Sequence, residues 1–262
     1  MPVKPHILIT GATSGLGLGI LKHYVHRDWK VTAINRRKDE HLEKQWPSVN
    51  FFHFDVRDVG SVRDYFKTAS SSNELPQYYF LSAGVNKVDN QGLLDWEVFK
   101  EVMDINLMGV YNVVAAALPY LKGKKALFIC ASSTSNIFPN PNCLGYYLSK
   151  LGLHDGFKLL ECQHGKNGIH FKSLILGPVA TNIFVSGQLS SKLQAKVREL
   201  ITVTVDQAVP PIVRFIHSSR LTFYYTKRAT LLFMALKIIS AVYPGFYTGS
   251  LPPSLETESQ KK

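Results

Sequence analysis

The sequence predicts an α/β fold on one doubly wound, mainly parallel sheet of about seven strands, with helices on both faces. Short apolar runs alternate with helical patterns from the first residues onward, which is the mark of repeated βαβ units. A glycine-rich turn stands between the first apolar run and the helix after it, where such sheets bring backbone close to a ligand. No linker or internal repeat divides the 262 residues. One domain is therefore predicted over residues 1–226, with 227–251 an apolar helical extension of it and 252–262 a disordered tail.

The elements follow in order. His6-Ile-Leu-Ile-Thr10 is the first strand, Gly15 to about His26 a helix, and Lys30 to Ile34 the second strand. Phe51 to Asp55 is a third strand, followed by a helix near Val59 to Thr68, and Tyr78 to Ser82 is a fourth. The long apolar pattern from Asp95 to Leu121 makes a helix or a helix pair. Ala126 to Ala131 is the fifth strand, Leu144 to His164 a helix, and Ile169 to Ile175 the sixth strand. A loop and helix fill Asn182 to Ser218, and Leu221 to Tyr225 adds a last strand.

Composition narrows the function classes. Hydrophobic residues are 45% and charged residues 19% of the chain, enough for a substantial core. The net charge of +11 is spread out, without an arginine-rich run or a nucleic-acid-binding motif, which argues against a nucleic-acid role. An anionic cofactor, a membrane surface or plain solubility accounts for it better. Cys130, Cys143 and Cys162 form an odd set without metal-ligand spacing, and the histidines show no zinc-like pairing, so no metal is expected. With no secretory h-region at the amino terminus, an intracellular, reducing location is predicted. Cys143, near Tyr146, reads as a small buried or loop thiol rather than a redox centre.

The chemistry concentrates in Tyr146-x-x-x-Lys150 and Ser133. On a helix a four-residue offset puts tyrosine and lysine on one face, whereas Tyr147 has Leu151 at that offset. An ammonium beside a phenol favours the phenolate, so Lys150 is expected to lower the Tyr146 pKa from about 10. Pro139 and Pro141 separate Ser133 from that helix, so the strand Ala126–Ala131 must deliver Ser132 and Ser133 at its carboxyl end. Phenol, ammonium and hydroxyl together can move a proton on or off a carbonyl oxygen. Taken alone the pair equally describes core packing beside a solvated charge.

At the other end of the first strand, Thr10-Gly11-Ala12-Thr13-Ser14-Gly15-Leu16-Gly17 fits a dinucleotide pyrophosphate. Its glycines permit close backbone approach, and the helix amino terminus offers N–H groups to phosphate. Gly11, Thr13, Ser14, Gly15, Leu16 and Gly17 are the expected contacts. After the second strand come Asn35-Arg36-Arg37, with guanidiniums for a 2′-phosphate and no carboxylate for a ribose hydroxyl. That selects NADP(H) over NAD(H), against the alternative of a solvated basic turn.

With the glycine turn, Asp55-Val56, Asn106, Ser133 and Tyr146-x-x-x-Lys150 in this order, residues 6 to 225 resemble a compact short-chain dehydrogenase/reductase with a Rossmann-type sheet. The resemblance implies that Asp55 and Val56 flank the adenine and that Asn106 holds a water near Lys150. It also implies that Ser133 fixes the substrate oxygen, Tyr146 transfers the proton and Lys150 binds the nicotinamide ribose; Ser132 is the alternative serine. Leu81-Ser82-Ala83-Gly84 stands where the family usually has Asn-Asn-Ala-Gly, and Leu176-Gly177 where it has Pro-Gly. Asn136 replaces a common glycine, while Val179 and Thr181 stand where members grip the nicotinamide carboxamide. A homodimer or homotetramer through the helices carrying Asn106 and Tyr146 is likewise implied.

The substrate wall is expected from the loop Ser135–Cys143 and the segment at about 182–205, with Ile137, Phe138, Ile183, Phe184, Val185 and Leu189 as its apolar residues. They suit a lipophilic ketone, alcohol or aldehyde of the kind met in lipid or steroid metabolism. Arg228 to Tyr243 is too short, and interrupted by Lys237, to span a bilayer. Residues 228–246 could lie in a membrane interface, as the carboxyl end of membrane-associated hydroxysteroid dehydrogenases does, or pack on the domain or a partner. The leading expectation is thus an NADP(H)-dependent oxidoreductase acting on a carbonyl or secondary alcohol. The alternatives are a catalytically weak nucleotide-binding scaffold or sensor, and a membrane- or partner-docking protein.

Overall fold

A computed structural model describes residues 4–88, 94–136, 142–181, 183 and 202–225. These residues belong to one compact unit, Met1–Tyr225. The apolar stretch Arg228 to Tyr243 and the tail lie outside the described residues.

Seven strands form one sheet in the order β3-β2-β1-β4-β5-β6-β7, each paired parallel to its neighbours. They are β1 (His6–Thr10), β2 (Lys30–Asn35), β3 (Asn50–His53), β4 (Tyr78–Leu81), β5 (Ala126–Ser133), β6 (Ile169–Leu176) and β7 (Thr222–Tyr225). A parallel sheet needs crossover helices and is covered on both faces, which is why β1, β4 and β5 read as continuous apolar runs. Period-two alternation then divides the core. Leu8, Tyr79, Phe128 and Phe171 face one layer, while Ile7, Ile9, Phe80 and Ile129 face the other. On the first face Tyr79, Phe128 and Phe171 stack across three adjacent strands, with centroids 4.2 and 5.0 Å apart.

The helices among the described residues are α1 (Gly15–Val25), α2 (Glu40–Gln45), α3 (Val59–Ser71), α4 (Trp96–Met103), α5 (Gly109–Ala117), α6 (Leu144–His164) and α7 (Val205–Ile216). Helices α3, α5 and α6 cover the stacked-aromatic face, and α1, α2 and α7 the opposite one. The chain therefore reverses its winding between β1 and β4, and the carboxyl ends of these strands open a cleft.

Several elements differ from the sequence expectation for local reasons. Strand β3 stops at His53 rather than Asp55, because the Asp55 carboxylate accepts from the Arg57 backbone at 3.0 Å and turns the chain. Strand β5 runs on to Ser133, paired with Leu176. Helix α2 is a short piece the apolar pattern does not show, capped by Asp39 on Leu42 N–H at 3.0 Å. The stretch Asp95–Leu121 holds the expected helix pair, α4 and α5, joined by a π-helical turn, Asp104–Met108, that the pattern does not show. Trp96–Tyr120 is apolar and long enough to cross a bilayer, yet 50% of its most apolar window is buried inside the fold.

Helix α7 carries Pro210 and Pro211 in its interior. The missing Pro211 N–H frees the Gln207 carbonyl, which accepts from the Tyr225 hydroxyl at 2.9 Å. Its carboxyl end is held by the buried Lys172 of β6, whose ammonium donates to the carbonyls of Phe215, Ile216 and Ser218.

At the amino end of the sheet, His6 is buried and its Nε2 lies 2.8 Å from Thr32 Oγ1. Burial, aided by Lys30 and opposed by Glu74, lowers its pKa from 6.5 to about 4. Since the unfolded ring takes up a proton first, the neutral ring's contribution is intact above pH 6.5 and is lost as pH falls towards 4. Urea unfolding is predicted to show about 3 kcal/mol of acid destabilisation from this group. His6→Gln should flatten that part of the pH dependence, and an unchanged slope in the variant refutes the assignment.

Candidate active site

The site lies where β1, β4 and β5 end. Ser133 closes β5, and its hydroxyl meets the Tyr146 phenol, which α6 presents from its first turn. One turn further along α6, Lys150 is buried. Its ammonium donates to the Ala131 carbonyl at 2.7 Å and lies 5.5 Å from the Tyr146 ring centroid. Ser132, the alternative serine, is buried and donates to the Lys150 carbonyl at 3.0 Å, clamping β5 to α6. Adjacent strand positions point to opposite faces. Ser133 is therefore the hydroxyl that faces the tyrosine.

The electrostatics correct one expectation. Burial raises the Tyr146 pKa above its ordinary value, opposed by the Ser133 hydrogen bond, so in this ligand-free geometry desolvation outweighs stabilisation of the phenolate. The same burial lowers Lys150 to about 8, with Cys130 opposing. Tyr146 is thus kept protonated at neutral pH, beside a lysine that is still mostly charged.

Asn106 occupies the π turn and is fully buried. Its Oδ1 accepts from Val85 N–H at 2.7 Å, and its Nδ2 donates to the Val85 carbonyl at 2.8 Å and to Ser149 Oγ at 3.2 Å. Both amide hydrogens are committed to this brace. The brace fixes the loop Ser82-Ala83-Gly84-Val85 to α6. From the other side, Thr10 Oγ1 accepts from the N–H groups of Ser82 and Ala83 at 3.2 Å, and Ser82 Oγ donates to the Thr10 carbonyl at 2.8 Å. Ser82, the departure from the usual asparagine, is thereby satisfied structurally.

The glycine turn fits a dinucleotide. Gly11 has φ +71°, and a Cβ there would stand 2.9 Å from Ala83 Cα; one at Gly17 would stand 2.3 Å from the Gly11 carbonyl oxygen. Helix and turn can approach this closely only with glycine. The Thr181 methyl lies 3.1 Å from the Cβ position of Gly15, which has φ +52°. No acidic side chain occupies the first turn of α1, and its N-cap, Ser14, makes no side-chain capping bond, so its N–H groups remain available to phosphate. Thr13 and Ser14 are accessible on the turn, whereas Leu16 is buried under it.

Asn35 closes β2 as a buried residue, its Oδ1 accepting from Ala12 N–H at 2.8 Å while its Nδ2 has no protein partner. An unfilled buried donor beside exposed Arg36 and Arg37 suits an incoming anion. Asp55 is gripped by Arg57 at 2.8 and 3.1 Å, which holds its carboxyl below the usual range, with Arg36 adding to the effect. Val56 is buried against α5, and its carbonyl accepts from Asn112 Nδ2 at 3.0 Å. Val179 pairs with Val203 in an isolated bridge, anchoring the segment after β6 that leads to Thr181. Of the expected substrate wall, Ile183 lies near Gly84 and Asn106, whereas Ile137, Phe138, Phe184, Val185 and Leu189 lie outside the described residues.

The chain matches the short chain dehydrogenase family model over residues 5–191. It belongs to that family. The family's nicotinamide cofactor and oxidoreductase chemistry apply to it at that level. It is 28% identical over 184 residues to 3-dehydrosphinganine reductase TSC10B of Arabidopsis thaliana, covering 65% of this chain and 54% of that protein. With an uncharacterized oxidoreductase of Listeria monocytogenes, Lmo0432, it shares 26% over 184 residues, 67% of this chain and 74% of the relative. Among solved structures, a short chain dehydrogenase from Burkholderia cenocepacia in complex with NADP superposes with a TM-score of 0.74 at 21% identity, covering 95% of this chain and 100% of that one. A 3-ketoacyl-(acyl-carrier-protein) reductase from Brucella melitensis complexed with NADH gives 0.73, also at 21%, covering 84% and 96%. These two likenesses show the fold.

Sequence reasoning passed over Arg57 and Ser149. Arg57 could have been found as the residue two after Asp55, positioned to close an aspartate turn. Ser149 was visible as a hydroxyl three residues after Tyr146, within reach of that residue's carbonyl.

Because burial lowers Lys150 to about 8, kcat/KM for the nicotinamide cofactor in the reductive direction should be level below that pH and fall above it. Lys150→Arg should displace the fall to higher pH. A wild-type profile level to pH 10 contradicts the assignment.

Proposed function

We propose that the protein transfers hydride between NADP(H) and the carbonyl or secondary alcohol carbon of a lipophilic small molecule, with Tyr146 as general acid in reduction and general base in oxidation. The observation that carries this reading is the contact of Tyr146 with Ser133, backed by the buried ammonium of Lys150. Bound along the glycine turn, the nicotinamide cofactor would supply or accept the hydride. In reduction the Ser133 hydroxyl holds the substrate oxygen and Tyr146 hands it a proton. The Lys150 ammonium then stabilises the phenolate left behind, and the roles reverse in oxidation.

The 2′-phosphate is assigned to Arg36 and Arg37, helped by the unpartnered Nδ2 of Asn35. Val179 and Thr181 are assigned to the nicotinamide side of the cleft. The lipophilic substrate rests on the composition of Ile137, Phe138, Ile183 and Phe184, and the Arabidopsis relative, named for 3-dehydrosphinganine, agrees in chemical character. A homodimer or homotetramer through the helices that carry Asn106 and Tyr146, peripheral membrane contact through 228–246 and an intracellular location complete the proposal.

Tyr146→Phe should lower kcat with a lipophilic ketone roughly 100- to 10,000-fold while NADPH binding, followed by fluorescence, is retained. Unchanged turnover in this variant rules the mechanism out. Arg36→Ala should weaken NADPH binding about 10- to 100-fold and leave NADH near its wild-type affinity. Equal effects on both cofactors defeat the selectivity assignment.

A further inference from the structure

Helix α6 meets α4, the π turn and α5 through a row of nearly bare positions. A Cβ at Gly145 would lie 3.3 Å from Phe99 Cα, one at Gly152 3.1 Å from Leu107 Cδ1, and one at Gly156 1.7 Å from the Tyr111 hydroxyl oxygen. Ser149 falls in the same row, at the helical spacing that joins Gly145 to Gly152. It is the polar member of that row and is fully buried. Its hydroxyl donates to the Tyr146 carbonyl at 2.8 Å and accepts from Asn106 Nδ2 at 3.2 Å.

We propose that Ser149 is a positioning residue for the proton-transfer step. It ties the backbone of Tyr146 to the asparagine that braces the loop Ser82–Val85, and so fixes the phenol relative to the cleft floor. A hydroxyl has one proton to donate, and here the Tyr146 carbonyl takes it, so Asn106 finds its acceptor in a lone pair of the same oxygen. With alanine at 149 the carbonyl loses a donor and an Asn106 amide hydrogen loses its acceptor, in a place water does not reach. The α6 turn that carries the phenol is then released from the π turn. The proposal rests on the reading of Tyr146 as the proton donor, but the link itself can be observed without turnover.

The test compares Ser149→Ala with Tyr111→Phe, which removes the bond from the Tyr111 hydroxyl to the Gly152 carbonyl across the same helix contact. Tyr146 is followed by NMR of ¹³Cζ-labelled tyrosine, assigned with Tyr146→Phe, alongside Tm and kcat. Ser149→Ala should move the Tyr146 resonance and its titration midpoint and lower kcat about tenfold, the kinetic equivalent of one buried hydrogen bond, with NADPH affinity nearly unchanged. Tyr111→Phe should lower Tm without moving the Tyr146 titration. If Ser149→Ala lowers Tm alone, with the Tyr146 signal and kcat unmoved, the proposal is overturned. If the signal moves while Tyr146→Phe keeps full turnover, the link stands and the reading of Tyr146 as proton donor fails.

Discussion

The site depends on a cation that the fold has taken out of water. Lys150 is buried on α6, and the Ala131 carbonyl at the end of β5 receives one of its protons. Desolvation penalises the charge, while its position behind the Tyr146 ring makes the charge useful when a phenolate forms. The two effects oppose one another. In the ligand-free cleft burial dominates both groups, raising Tyr146 and lowering Lys150 to about 8. The site is thereby set as a protonated phenol beside a lysine that is mostly charged at neutral pH.

Holding those groups in register is the task of a hydrogen-bonded line through the switch point of the sheet. It starts at Thr10 on β1, crosses to the loop Ser82–Val85 after β4, passes to Asn106 in the π turn and reaches Ser149 and the backbone of Tyr146. The glycine turn lies at one end and the phenol at the other. The glycine turn and the start of α6 are therefore tied into one hydrogen-bonded network rather than being separate loops. The π turn places an asparagine where its amide can bridge two elements without leaving a buried polar hydrogen unpaired. On the far side, Lys172 and Tyr225 secure α7 against the sheet despite its prolines.

Much of this was legible in the sequence, for specific reasons. Strand β1 and helix α6 carry strong, uninterrupted patterns, and their predicted bounds coincide with the observed ones. The glycine turn and the Tyr146, Lys150 and Ser133 spacing were readable because each residue type has few substitutes for its task. Other features depend on tertiary surroundings. The early end of β3 follows from one carboxylate turning onto Arg57, and the π turn has no pattern of its own within a continuous apolar helix. The direction of the Tyr146 shift needed the depth of burial, which spacing cannot supply. The Ser149–Asn106 bond depends on the close approach that the glycines beside Ser149 allow, which no local pattern records.

The family fold thus accounts for the parallel sheet and the cleft at its strand ends. The central claim is that burial sets the acidity of the site, raising Tyr146 and lowering Lys150 while leaving the ammonium mostly charged at neutral pH. Its most direct test is an NMR titration of the Lys150 side chain in the ligand-free protein, with the signal assigned by Lys150→Arg. The account predicts a midpoint near 8, with the ammonium present at neutral pH. An ordinary solvent-like midpoint of about 10.4, or a lysine already neutral at pH 7, would contradict it.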